Sequence, residues 1–256
     1  METTTIVLLC IAAFAAGFID AIVGGGGLIQ TPISLILLPY LPVATVIGTL
    51  KVPSFGGTSI AAYQYLKKIK MNWPLLGIMA ITAIICAFLG STLLIHVSNG
   101  FMKPLLLVIL ILLAIYTYTK KDFGQHTEKN IAPKKVILYS ILISSVVGFY
   151  DGFIGPGTGS FLIVAFITIL GFDFLHASAN AKMVNLATNL GSITLFLLKG
   201  KIIWAIALPM TASNAVGAWL GAKLAINKGN KFIRIFFLVV VIGTLIRFAY
   251  DVYRGK

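Results

Sequence analysis

The 256-residue sequence predicts an all-α, polytopic membrane protein of about eight transmembrane helices, arranged as two homologous four-helix repeats, each with a glycine-broken, re-entrant helix. Three observations predict it. Hydrophobic residues make up 59% of the chain and charged residues 11%, with a mean hydropathy of +1.00, whereas soluble domains carry about 25% charged residues. Apolar runs of roughly 20 residues recur along the whole length between short polar loops, the pattern of successive membrane crossings. Lastly, one unusual stretch occurs twice. The first copy is Gly17-Phe18-Ile19-Asp20-Ala21-Ile22-Val23-Gly24-Gly25-Gly26-Gly27; the second is Gly148-Phe149-Tyr150-Asp151-Gly152-Phe153-Ile154-Gly155-Pro156-Gly157-Thr158-Gly159.

Residues 6–38 are the first apolar run. As one helix its roughly 33 residues would extend about 50 Å, against a hydrocarbon core of about 30 Å. The run therefore reads as a span followed by a re-entrant half-helix, or as two crossings, divided at the glycine row. No lysine or arginine precedes it, so it is expected to be a retained span and not a secretory signal. Pro39-Tyr40-Leu41-Pro42 makes an uncharged turn, and a second span over 43–65 ends in the basic loop with Lys67, Lys68 and Lys70. Trp73 and Pro74 open a third span to about residue 95, with the tryptophan at the interface. A fourth span covers 102–119. The polar stretch 120–135, with Lys120, Lys121, Lys129, Lys134 and Lys135, is a basic cytoplasmic linker between a first repeat (1–119) and a second (136–256).

The repeats share a gapless register. Asp20 and Asp151 are separated by 151 − 20 = 131 positions, and the same offset relates Lys51 to Lys182, Lys70 to Lys201, Trp73 to Trp204, Gly90 to Gly221 and Phe101 to Phe232. Gly17, Phe18, Gly24 and Gly26 match Gly148, Phe149, Gly155 and Gly157 in that register. If each repeat crosses four times, one side collects Lys67, Lys68, Lys70, the linker lysines, Lys199, Lys201, Arg254 and Lys256, and the other Lys103, Lys228, Lys231 and Arg234. The positive-inside rule then puts both termini in the cytoplasm and makes the repeats parallel. Five crossings per repeat would invert them and weaken the bias. The four-plus-four count is the favoured one.

Two lysines stand deep inside apolar spans, Lys51 and Lys182. A lysine at such depth costs around 3 kcal/mol on insertion scales, so it is expected to face a cavity or a partner. Asp20 and Asp151, one turn before the breaks, could bind a proton, hold a lysine, or cap the restarted half-helices. A half-helix beginning after Gly24-Gly25-Gly26-Gly27, or after Gly155, Gly157, Thr158 and Gly159, brings free N–H groups and a positive dipole end into the membrane, where they favour an anion. Small residues also serve close helix packing, which explains spaced glycines better than an unbroken row. Thr49, Ser54 and Thr58 pair with Asn180, Asn185 and Asn189 at the 131 offset and are expected to line the cavity; Ser54, Asn185 and Asn189 are taken as binding residues.

The alternatives are weaker. A net charge of +13 resides in loops between apolar runs, which suits topology and anionic lipid and not nucleic acid. Cys10 and Cys86 lack metal-ligand spacing, and no cofactor or metal is expected. Gly157-Thr158-Gly159-Ser160 loosely resembles the serine motif of intramembrane proteases, but His96, His126 and His176 lie in or beside loops, so no enzyme is expected. Partners are the bilayer and a small anion, with homo-oligomerisation left open.

Gly24-Gly25-Gly26-Gly27-Leu28-Ile29-Gln30-Thr31-Pro32, its second copy, and Ala179-Asn180-Ala181-Lys182-Met183-Val184-Asn185 together resemble the TauE/SafE family, also called sulfite exporters or sulfonate permeases. The resemblance covers both halves. It implies a multi-pass carrier in the cell membrane that exports small sulfur-containing anions such as sulfite or sulfonates; proton coupling through Asp20 or Asp151 is the expectation added by the residues themselves. The second copy lacks the closing proline, so the halves are not equivalent. A carrier for a short carboxylate, or a non-transporting membrane scaffold, are the other readings.

Overall fold

The computed structural model describes residues 3–98, 100–101, 105, 108 and 131–253, excepting the side chains at 230, 234 and 237–253. Nearly all of the expected fourth span, 102–119, and of the linker before residue 131 lies outside the described residues. Every regular element among those residues is an α-helix: α1 (Thr3–Val23), α2 (Gly27–Leu37), α3 (Val43–Leu66), α4 (Trp73–His96), α5 (Pro133–Phe153), α6 (Thr158–Thr168), α7 (Phe174–Leu198) and α8 (Trp204–Tyr253), the last broken at Gly229. Four of these, α1, α4, α5 and α7, are long and apolar enough to cross a membrane. At 24 residues α3 has the length, but it is not among those four and carries Thr45, Thr49, Lys51, Ser54 and Thr58.

Local chemistry sets the helix starts. Asn72 caps α4, its Oδ1 accepting from Leu75 N–H at 3.2 Å, and Pro74 fills the first turn, where a missing N–H costs nothing. Asp173 caps α7 in the same way, accepting from His176 N–H at 2.9 Å. Burial pushes the Asp173 carboxyl upward, but the backbone and ring hydrogen bonds from His176 outweigh it and hold the group below the ordinary carboxylate value.

Small residues then let the helices approach closely. A Cβ added to Gly217 or Gly221 on α8 would overlap the carbonyl oxygens of Phe14 and Phe18 on α1. One added to Gly90 on α4 or Gly152 on α5 would overlap the carbonyls of Phe149 and Ala87. The pairs α1/α8 and α4/α5 are thus built alike: Gly221 meets Phe18, and Gly90 meets Phe149.

Helix direction departs from the parallel arrangement that loop charge favoured. The start of α3 lies by the end of α7, since Thr49 Oγ1 accepts from Ile203 N–H at 3.1 Å. Its other end lies by the start of α7, where Lys70, Asn72, Asp173 and His176 border one cavity. The lysine-bearing helices α3 and α7 therefore run antiparallel. Leu38, just after α2, packs with Leu9 of α1, Val46 and Ile206, so α1 and α2 form a hairpin that returns to the end it left. Asn72 borders both Pro133 at the start of α5 and Gly171 after α6, so α5 and α6 form a second hairpin, entering from the opposite end. Both hairpins turn back to the end they left, and each return changes the side on which every later loop falls. Sorted by end, Lys67, Lys68, Lys70, Lys134 and Lys135 share the Asn72 end, while Lys199 and Lys201 share the end where α1 begins.

A side chain at a backbone contact should cost more than one in open space. Gly221→Val and Gly90→Val are each expected to destabilise the protein by about 1–3 kcal/mol, read as a lower melting temperature in detergent. Gly77→Val, with nothing within 4 Å of its added Cβ, should melt like the parent; equal melting of all three would refute the close-approach account.

Candidate functional site

Both glycine clusters break their helices, and the two breaks touch. After α1 the chain turns at Gly24, whose φ of +77° lies in the left-handed region that a side chain would strain. After α5 it turns through Gly155 and Gly157, and Gly157 caps α6 with φ +85°. Ser160 N–H donates to Gly24 O at 3.0 Å, and its hydroxyl donates to Val23 O at 2.9 Å. A Cβ at Gly24 or Gly159 would overlap the backbone of the other. Each tip thus satisfies part of the other's exposed backbone, as a non-helical segment away from water requires.

The two lysines cross between hairpins. Lys51 on α3 donates to Asp151 Oδ2 at 2.7 Å and to the Asp151 carbonyl at 2.7 Å. Lys182 on α7 donates to Asp20 Oδ2 at 3.1 Å and to the Asp20 carbonyl. The lysine of one half holds the aspartate of the other in both cases. The second carboxylate oxygens serve the breaks: Asp20 Oδ1 accepts from Gly26 N–H at 3.4 Å, and Asp151 Oδ1 accepts from the Thr158 hydroxyl at 2.7 Å. Both carboxylates hold a lysine; Asp20 also accepts an N–H of its break, whereas Asp151 accepts a hydroxyl, and neither caps a half-helix with its side chain.

Between the tips lies a small cavity of about 50 Å³. Asp20, Gly24, Gly26, Gly27, Lys51, Ser54, Asp151, Gly155, Gly157, Thr158, Gly159, Asn185 and Asn189 all line it. Gly25 and Lys182 do not, and Lys182 is sealed from any surface. Of the other polar residues on these spans, Thr58 lines the cavity, but the Thr49 hydroxyl returns to Thr45 O and the Asn180 amide to His176 O.

Sequence reasoning missed Gln30, Thr31 and Asn214. Asn214 Nδ2 donates to Gln30 Oε1 at 3.1 Å, and Gln30 Nε2 reaches Leu50 O at 3.4 Å. Gln30 and Thr31 lie about one helical turn after the glycine row, on the face of α2 that Gly27 occupies, so a helical wheel of α2 would have found them. Asn214 has no such signal, because its counterpart at the 131 offset is Ala83.

The wall offers donors with nothing yet to donate to. The hydroxyls of Thr31, Ser54 and Thr58 and the Asn185 amide nitrogen make no hydrogen bond among the described residues. Lys51, Ser54 and Thr58 follow one face of α3, and the first turns of α2 and α6 border the same space, although Leu28, Ile29 and Gln30 N–H already donate to the Gly25 and Gly26 carbonyls, Thr158 N–H to Gly155 O and Ser160 N–H to Gly24 O. One ammonium and several neutral donors suit a small oxyanion. Among the described residues no group of histidines, cysteines and carboxylates could hold a metal ion.

A family model described as sulfite exporter TauE/SafE matches residues 9–248. A protein of Haemophilus influenzae named probable membrane transporter protein is 35% identical over 96% of this chain and 94% of its own. The probable membrane transporter protein ORF9 of Sinorhizobium sp is 35% identical over 95% of this chain and 92% of its own. The probable membrane transporter protein YfcA of Escherichia coli K12 is 30% identical over 95% and 89%. No solved structure matches the chain.

Removing Lys182 would strand the Asp20 carboxylate, whose side chain is only 20% exposed. Lys182→Met is expected to cost about 3 kcal/mol, and adding Asp20→Asn should restore most of it. Thermal melts in detergent check this; a single variant as stable as the parent would refute the pairing.

Proposed function

The chain belongs to the sulfite exporter TauE/SafE family and is a multi-pass membrane transporter, not an enzyme, and on that premise we propose that it exports small sulfur oxyanions, sulfite or sulfonates, across the cell membrane. The observation that carries this reading is the placing of Lys51 and the unspent donors of Thr31, Ser54, Thr58 and Asn185 around one cavity between two broken-helix tips. A pyramidal or tetrahedral oxyanion can accept hydrogen bonds from several directions at once, and the donors come from α2, α3 and α7. Protons couple the transport through the cavity carboxylates. The family's description supports the class of cargo and the outward direction.

In this reading the halves 1–119 and 136–256 are repeats of inverted orientation, joined by the basic linker. The matched pairs Lys51–Asp151 and Lys182–Asp20, and the matched contacts of Gly221 and Gly90, support the duplication. The antiparallel course of α3 and α7 supports the inversion. Two hairpins entering from opposite faces are a known way to build a transporter site. With Lys67, Lys68, Lys70, Lys134 and Lys135 at one end, the positive-inside rule sets that end in the cytoplasm and the start of α1 outside.

Two measurements test this. In reconstituted proteoliposomes, sulfite, sulfoacetate and thiosulfate are expected to drive flux that acetate does not, with at least a hundredfold loss in Lys51→Met; flux of acetate alone would transfer the site to carboxylates. For topology, a membrane-impermeant maleimide applied to intact cells should label Tyr40→Cys but not Lys68→Cys, in a background with Cys10 and Cys86 replaced by alanine. The opposite labelling would reverse the assignment.

A further inference from the structure

We infer that the two ion pairs do different work: Lys182–Asp20 is a fixed tie, whereas Lys51–Asp151 opens, the carried oxyanion taking the place of the Asp151 carboxylate on the Lys51 ammonium as Asp151 Oδ2 takes up one proton. The inference rests on the transporter reading above and assigns the coupling to a single carboxylate.

The pairs match in sequence but differ in access. Lys182 has no exposed surface and no place on the cavity wall. Any ligand that reached it would have to pass through Asp20. Lys51 lines the cavity, with the Ser54 and Thr58 hydroxyls one and two turns along the same face and the Asn185 amide on α7. It spends two of its three N–H donors on Asp151. Gly155 stands beside its ammonium, where an added Cβ would lie 3.6 Å from Nζ, so the absence of a side chain there leaves the approach open.

Charge balance forces the proton. The wall carries Asp20, Asp151 and Lys51, and Lys182 stands behind Asp20, so the four charges sum to zero before a ligand enters. An added anion is then an uncompensated charge in a poorly hydrated space, which is costly. It also competes with Asp151 for the same ammonium. One proton on Asp151 Oδ2 ends the competition, leaves Lys51 free and offsets one unit of the ligand's charge; a monoanion is then fully balanced, and a dianion leaves one unit to the neutral donors of the wall. The neutral carboxyl can keep Oδ1 as acceptor for Thr158 while Oδ2–H donates.

The groups facing Asp151 leave this proton no nearer competitor than Asp20. From α3 it meets Lys51 and from α6 the Thr158 hydroxyl. From α4 its neighbour Gly152 meets Ala87 and Ser91. On its own helix the Tyr150 hydroxyl is committed to Pro156 O. Gln30, Asn185 and Asn189 on the cavity wall are amides that do not titrate, and Asp20 stays bound to Lys182.

The test is calorimetry of thiosulfate binding to the purified full-length protein. Thiosulfate stays a dianion across neutral pH and releases no proton of its own. Titrations in buffers of different ionisation enthalpy count the protons exchanged. The parent protein should take up about one proton per thiosulfate and lose affinity about tenfold per pH unit on the alkaline side. Asp151→Asn, which keeps the shape and mimics the protonated acid, should bind with a flat pH profile and no proton uptake. The double variant Lys182→Met with Asp20→Asn, which removes the fixed pair as a neutral unit, should keep the parent's pH slope. A parent that binds without proton uptake, or an Asp151→Asn variant that keeps the slope, overturns the assignment while leaving an anion site intact. Absence of binding at every pH, for thiosulfate and sulfate alike, overturns the anion site itself.

Discussion

Charge placed away from water has to be neutralised where it stands, and the rest of this structure is arranged to do that twice. Lys51 and Asp151, and Lys182 and Asp20, sit on different halves of the chain. Breaking a buried pair by removing one partner costs about 3–5 kcal/mol, much of it the stranded charge. Each pair is reinforced by a hydrogen bond from the lysine to the backbone carbonyl of its own aspartate. That second bond fixes the lysine to the last turn before the break as well as to a side chain. The ion pairs therefore tie α3 to the α5 hairpin and α7 to the α1 hairpin.

The glycines make the second constraint. The tips can meet only because neither Gly24 nor Gly159 carries a Cβ, and the hydrogen bonds from Ser160 then close part of the exposed backbone. Backbone so arranged is tolerable in a membrane interior because protein surrounds it and a polar cavity lies beside it. The same glycines line the cavity, so Gly24, Gly26, Gly155 and Gly157 serve both the turn of the chain and the shape of that space.

Much of the site could be read from the sequence because the chain states it twice. The 131 offset singled out the lysines, the aspartates, the two breaks and the polar residues around them, and fourteen of these line one cavity. What it could not supply was pairing. An offset relates Lys51 to Lys182, but contact relates Lys51 to Asp151, and nothing in a one-dimensional register says that partners are exchanged. Direction failed for a related reason. Whether residues 6–38 cross or turn back changes the parity of every later loop, and composition cannot distinguish a returning half-helix from a crossing one. Lys182 looked like Lys51 in sequence and proved sealed, since burial of a side chain depends on its neighbours in space.

The exchange of partners has a bearing on how the protein is made. Lys51 enters the membrane with its first half, but Asp151 lies 100 residues further along the chain. At about 5–20 residues per second of synthesis, that separation is about 5–20 s. Asp20 waits longer still, 162 residues, for Lys182. Throughout that interval the nascent first half holds one lysine and one aspartate without their final partners. The chain has to keep them solvated at the insertion machinery, or let them neutralise one another provisionally. In either case the final pairs form late, once the second hairpin and α7 arrive.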